Sequence, residues 1–209
     1  MLRRTWISAL GLAAALLATG AVQAQAVTPD DFVKKLSAEV MDTAKGDKSI
    51  QNGDIAKIRA LVDEKVMPHV NFERMTAMSV GPQWRGASPD QKRRMLAEFK
   101  TLMINTYAGA LTQVKDQSVV VRPLRPGQAE QSELVVRSEV RGKGDPIQLD
   151  YRLEKAGDGW KIYDVNVGGF WLVEAYKGQF AKDLSAGGMD ALISRLAEKN
   201  KSLASAPKS

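Results

Sequence analysis

Residues 58–111 read IRALVDEKVMPHVNFERMTAMSVGPQWRGASPDQKRRMLAEFKTLMINTYAGAL, from Ile58 to Leu111. The punctuation of this block is helical. Pro68 ends or bends a helix that carries Ile58, Val62, Val66 and Met67. Asn71 caps a short helix with Phe72, Met75 and Met78, and Gly81-Pro82 breaks it. Ser88-Pro89-Asp90-Gln91 has the spacing of a capping box with Pro at the first helical position. It opens a long helix with Met95, Phe99, Leu102, Met103, Tyr107, Ala110 and Leu111 on one face, while Lys92, Arg93, Glu98, Lys100 and Thr101 lie largely opposite. The block is rich in Met and Leu and pairs no nucleophile with a base. It predicts an apolar surface or cavity, and binding rather than bond-making.

Outward from this block, Thr28-Pro29-Asp30-Asp31 starts a helix from Pro29 to about Ala44 with Phe32, Leu36 and Val40 on one face. Asn52-Gly53-Asp54 opens the helix that Pro68 closes. From Ser118 the period changes to two. Val119 and Val121, then Leu134, Val136 and Val140, then Ile147, Leu149, Tyr151 and Leu153 alternate with polar residues, as in half-buried antiparallel strands. A fourth strand spans Trp160 to Val167. Phe170 to Val173 begins a further helix, and Met189 to about Lys199 forms the last one after Gly187-Gly188. Helices, then antiparallel strands, then closing helices make an α+β layout.

The N-terminus predicts the compartment. Arg3 and Arg4 precede an apolar run from Ile7 to Ala18, and small residues follow at Val22-Gln23-Ala24 and Ala24-Gln25-Ala26. Residues 1–26 therefore read as a secretory signal peptide, because the apolar run falls short of the roughly 20 residues that span a bilayer. Residues 27–200 form one domain, with a flexible polar tail over 201–209. The chain holds no cysteine, which excludes a disulfide framework and thiolate chemistry and suits a bacterial periplasm. The net charge of +6 includes Arg3 and Arg4. The remaining basic residues are scattered among acids with no stripe interleaved with aromatics, which argues against nucleic acid.

Candidate chemistry is sparse. His69 is the only histidine; it follows Pro68 at a helix end, where a capping role is the simpler reading, and no Gly-x-Ser-x-Gly elbow presents a serine. One His without Cys or a close-set carboxylate trio cannot build a standard zinc site. Asp164 in Ile162-Tyr163-Asp164-Val165 could be an isomerase-like base with Tyr107, Tyr151 or Tyr163 as donor, or a structural aspartate bonded to backbone or to an Arg.

The assembled order of Leu61-Val62-Asp63, Pro68, Phe72, Gly81, Trp84, Ala87-Ser88-Pro89, Gln91, Phe99, Tyr107, Tyr163-Asp164-Val165, Gly169, Leu172-Val173, Tyr176 and Gln179-Phe180 resembles the MlaC (toluene-tolerance) family of periplasmic phospholipid carriers. The resemblance covers essentially the whole chain after residue 26. Two positions depart from the family pattern: Gly168 replaces the acid before Gly169, and Trp171 stands where a small Ser is usual. The resemblance implies a cone-like antiparallel sheet, similar to nuclear transport factor and ketosteroid isomerase, with added helices enclosing an apolar pocket. It implies a carrier without catalytic residue, metal or cofactor, whose ligand is a phospholipid. Its partners would be an outer-membrane lipoprotein complex and an inner-membrane ABC-transporter complex, with transient membrane-surface contact, in the service of outer-membrane lipid asymmetry. On that reading Phe99, Met103, Tyr107 and Leu111, with Leu134, Val136, Val140, Leu149, Tyr151 and Leu153 of the sheet and Phe170, Trp171, Leu172 and Val173 at the junction, line the acyl chains. An isomerase-like enzyme or an envelope adaptor on the same scaffold are the alternatives.

Overall fold

The computed structural model describes residues 27–205; the expected signal peptide over 1–26 lies outside the described residues, as do the last four positions. Helix α1 (Pro29–Gly46) starts at Thr28, whose side chain accepts from the Asp31 N–H. A single turn, α2 (Lys48–Gln51), is capped by Asp47, a short element that too few residues encode for periodicity to detect. Helix α3 (Ile55–Leu61) continues through a π-helical turn (Val62–Val66) into a 3₁₀ turn (Met67–His69). The chain widens and then tightens before Pro68 stops it, as proline must.

Helix α4 (Phe72–Val80) is capped by Asn71 and ends at Gly81, whose φ is 78°, a backbone state glycine adopts without steric cost. After the turn α5 (Gln83–Gly86), the capping box is present in full: Ser88 accepts from Gln91, and the Gln91 side chain returns to the Ser88 N–H. It opens α6 (Pro89–Thr112), 24 residues long and thus about 36 Å at 1.5 Å per residue.

The sheet is an antiparallel meander. Strand β1 (Ser118–Val121) pairs with β3 (Ser138–Arg141), and both β2 (Glu133–Val136) and β3 pair with the same edge of β4 (Ile147–Ala156). The strand expected over Leu134 to Val140 is thus two strands broken at Arg137. Contacts across the sheet mark the break: the Ser138 N–H donates to the Asp150 carboxylate at 3.0 Å, and the Ser138 hydroxyl donates to the Leu149 carbonyl. Strand β5 (Gly159–Val167) pairs with β4 and carries one extra residue, Tyr163, between the partners of Arg152 and Leu153. Such a bulge bends and twists the strand.

Phe170 and Trp171 form a short strand, β6 (Phe170–Trp171), rather than the start of a helix. Helix α7 (Leu172–Ser205) begins one residue later, and it runs beyond the expected stop near Lys199. It kinks at Gly187-Gly188, where Gly188 has φ of 67° and a Cβ on Gly187 would meet the Ala191 Cβ at 2.9 Å. The kink lets both halves pack. Leu184, Met189, Leu192 and Leu196 join the core formed with α4 and α6.

Three apolar clusters hold these layers together. In the first, Phe99 of α6 meets Phe72, Tyr176 and Phe180 at centroid separations of 5.5, 4.9 and 5.3 Å, geometries that favour aromatic pairs. The second packs Val33 and Leu36 of α1 on Leu134, Val136, Leu153, Trp160 and Ile162 of the sheet. The third joins Ala44, Ile50, Ile58 and Leu61 to Ile104, Ala108 and Val114 at the far end of α6. The fold is α+β, as the periodicities predict.

Candidate binding cavity

Between the second and third clusters the interior is not filled. A cavity of about 480 Å³ lies there, within the range of pockets that hold small ligands. Helix α1 supplies Val33, Leu36, Ser37, Val40 and Met41, and the segment around Pro68 supplies Val66 and Val70. The end of α6 and the loop after it supply Ala110, Leu111, Gln113, Val114 and Gln117. The sheet supplies Val119, Val140, Ile147, Leu149, Tyr151, Ile162, Val165 and Val167.

At one end of the sheet the indole of Trp160 and the Leu and Ile side chains beside it pack against α1. Toward the other end, Val119, Val140, Val165 and Val167, with Leu149 and Tyr151, line a gap that stays open.

The wall is apolar except for Ser37, Tyr151, Gln113 and Gln117. Burial pushes the Tyr151 hydroxyl above its ordinary pKa, against the opposing effect of hydrogen bonds with Ser37 and Ser138. It stays neutral near pH 7. Among the described residues no charged side chain lines the cavity, so the site offers apolar area and neutral hydrogen-bonding groups. Among the described residues there is also no group of three or more His, Cys, Asp or Glu that could hold a metal ion, and no helix long and apolar enough to cross a membrane.

Of the residues expected to line such a site, Leu111, Val140, Leu149 and Tyr151 meet in this cavity. Leu134, Val136 and Leu153 continue the same sheet face but pack against α1 in the adjoining core. Phe99, Met103, Tyr107, Leu172 and Val173 lie in or against the core between α4, α6 and α7. Phe170 is 73% exposed. Trp171 pairs with Asn166 and its ring lies under the Arg152 guanidinium, on the sheet face opposite the one that bears Leu149 and Val167. The contribution of α1 is not among the sequence expectations, although its apolar stripe through Leu36 and Val40 carries the signal. Val165 and Val167 show no sequence signal beyond that of ordinary strand residues.

Asp164 occupies the opposite face. It is fully buried, accepts from the Val165 and Val173 N–H groups at 2.9 and 3.0 Å, and receives Arg152 Nη1 at 2.8 Å. It thereby caps the first turn of α7 and neutralises Arg152. Burial raises its pKa, against the lowering effects of the two amides and Arg152. The Tyr163 hydroxyl donates to Glu133 at 3.0 Å, while Arg74 stacks on the Tyr163 ring at 3.8 Å and pairs with Glu133 and Glu154. These groups satisfy one another away from the cavity. His69 abuts the edge of Phe32, 5.5 Å between ring centroids.

The model of the MlaC protein family matches residues 34–198. The chain is 24% identical over 182 residues to the toluene tolerance protein ttg2D of Pseudomonas putida, covering 86% of this chain and 84% of that protein. It is 24% identical over 143 residues to the intermembrane phospholipid transport system binding protein MlaC of Haemophilus influenzae, covering 66% of each. A solved structure of a phospholipid-binding protein from Ralstonia solanacearum, in complex with a phospholipid, superposes with a TM-score of 0.79 at 43% identity, over 82% of this chain and 96% of that one.

Proposed function

Because the chain belongs to the MlaC family, we propose that it is a phospholipid carrier, holding acyl chains in the cavity between α1, the end of α6 and the sheet. It moves lipid through the aqueous periplasm between an outer-membrane lipoprotein complex and an inner-membrane ABC-transporter complex, and so serves the lipid asymmetry of the outer membrane. The observation that carries this reading is the apolar, uncharged lining of the 480 Å³ cavity. Each methylene withdrawn from water contributes about 0.8 kcal/mol, so a shielded chain crosses an aqueous compartment that a bare one does not.

The phospholipid bound by the Ralstonia protein and the transport role in the Haemophilus protein's name support the same reading. Leu111, Val140, Leu149 and Tyr151 contact the chains, joined by Val40, Val165 and Val167. The reading assigns no proton transfer to Asp164, which is committed to Arg152 and two backbone amides on the other face.

Native mass spectrometry of protein purified from cells tests the proposal. The expected result is a bound species of phospholipid mass, released on denaturation. Protein that is consistently lipid-free and takes up none from vesicles sinks it.

A further inference from the structure

The cavity has an open end and a closed end. Of the residues that line it, only Ala110, Gln113 and Ile147 are exposed, which puts its mouth between the end of α6 and the start of β4. Inward along β4 the wall runs through Ile147, Leu149 and Tyr151 and stops there. Leu153, the next residue on that face, is fully buried in the core with Val33 and Val136. Four residues of strand make the wall about 14 Å deep. That is close to half the roughly 30 Å thickness of a bilayer's hydrocarbon core, the depth an acyl chain occupies in one leaflet.

Tyr151 closes the deep end. Its hydroxyl makes hydrogen bonds with Ser37 of α1 and Ser138 of β3, so the side chain reaches from the sheet to the helix across the space that stays open nearer the mouth. Ser138 is itself held, by the Asp150 carboxylate and the Leu149 carbonyl. The other two polar lining residues, Gln113 and Gln117, belong to the segment after α6, at the mouth end. A methylene pushed past the Tyr151 hydroxyl would part its bonds and leave buried hydroxyls unpaired, which costs more than burying that methylene returns.

We propose that Tyr151, held by Ser37 and Ser138, is an acyl-chain gauge: a stop that sets the longest chain the cavity accepts and so selects phospholipids by chain length. The gauge rests on the carrier reading above. A wall of Val and Leu favours each added methylene alike, and a stop turns that rising preference into an optimum.

The test offers lipid-stripped protein an equimolar, detergent-dispersed mixture of phosphatidylglycerols with paired saturated chains of twelve to twenty carbons, and native mass spectrometry reads the bound species. The wild type takes the sixteen-carbon lipid in preference to the twenty-carbon one. Tyr151→Leu removes ring and hydroxyl and deepens the chamber. Its ratio of bound twenty- to sixteen-carbon lipid rises about tenfold, equivalent to about 1.4 kcal/mol. Ser37→Leu fills the same end from the helix side, and its bound lipid shifts toward the twelve- and fourteen-carbon species. Opposite shifts separate a stop from general loosening, which moves both variants the same way, and Ser37→Leu decides alone if Tyr151→Leu does not fold. Either variant folded with the wild-type ratio, or wild-type uptake that keeps rising to twenty carbons, overturns the gauge and leaves the carrier reading standing. A wild-type chain that binds none of these lipids overturns both.

Discussion

The Arg152 guanidinium lies 4.1 Å from the centroid of the Trp171 ring, on the sheet face turned away from the cavity. The indole therefore supports a cation on that face rather than facing the cavity. Trp171→Ser is expected to cost about 0.5–2 kcal/mol, the range of such stacking, with bound lipid unchanged. Thermal melting and native mass spectrometry check the two halves; a loss of lipid at full stability would place Trp171 in the binding path.

Phe99 and Leu149 separate core from cavity. Phe99→Ala leaves a hole among Phe72, Tyr176 and Phe180 and should destabilise by about 3–5 kcal/mol. Leu149→Trp projects instead into open space, so it should cost little stability but displace bound acyl chain. Denaturant unfolding beside lipid content distinguishes them, and equal lipid content in Leu149→Trp and wild type would contradict the cavity assignment.

Asp164 is buried with three donors. Asp164→Ala leaves Arg152 and the two amides without their acceptor, for a loss of about 3 kcal/mol. Asp164→Asn keeps an oxygen for the amides and should lose less. If the Asn variant retains fold and lipid, no proton transfer by this carboxylate is needed. Urea unfolding of both variants checks the order, and an Asn variant less stable than Ala would refute it.

Burial, with the Tyr107 interaction adding to it, pushes the Tyr176 hydroxyl from 10.0 up to about 12. Below pH 10 both folded and unfolded chains hold this proton and its stabilisation is complete. Above pH 10 the unfolded chain releases it first, so stability falls as pH rises through 12, by up to about 3 kcal/mol. Tyr176→Phe has no proton to lose there. Its melting temperature should decline less steeply over this alkaline range, and an unchanged slope would show that Tyr176 is not the group responsible.

Much of the fold is legible because its signals are local. Thr28, Asn71 and Ser88 cap the helices that their spacing predicts, since a side-chain acceptor two or three residues before a free N–H acts within one turn. The change of period at Ser118 marks the sheet. The break at Arg137 is not legible, because it depends on Asp150, twelve residues beyond Ser138 and adjacent to it only once β3 and β4 pair.

For the site, the order of residues set the materials: apolar stripes on α1 and α6 and an alternating sheet. Periodicity states that a face is apolar but not what it meets. Packing in three dimensions settled that. Helix α6 is long enough to serve separate clusters, so its Phe99 is sealed among aromatics while Leu111, about three turns further on, opens onto the cavity. Whether an apolar residue becomes core or wall depends on what it meets, and that neighbour is chosen by packing between elements far apart in the chain.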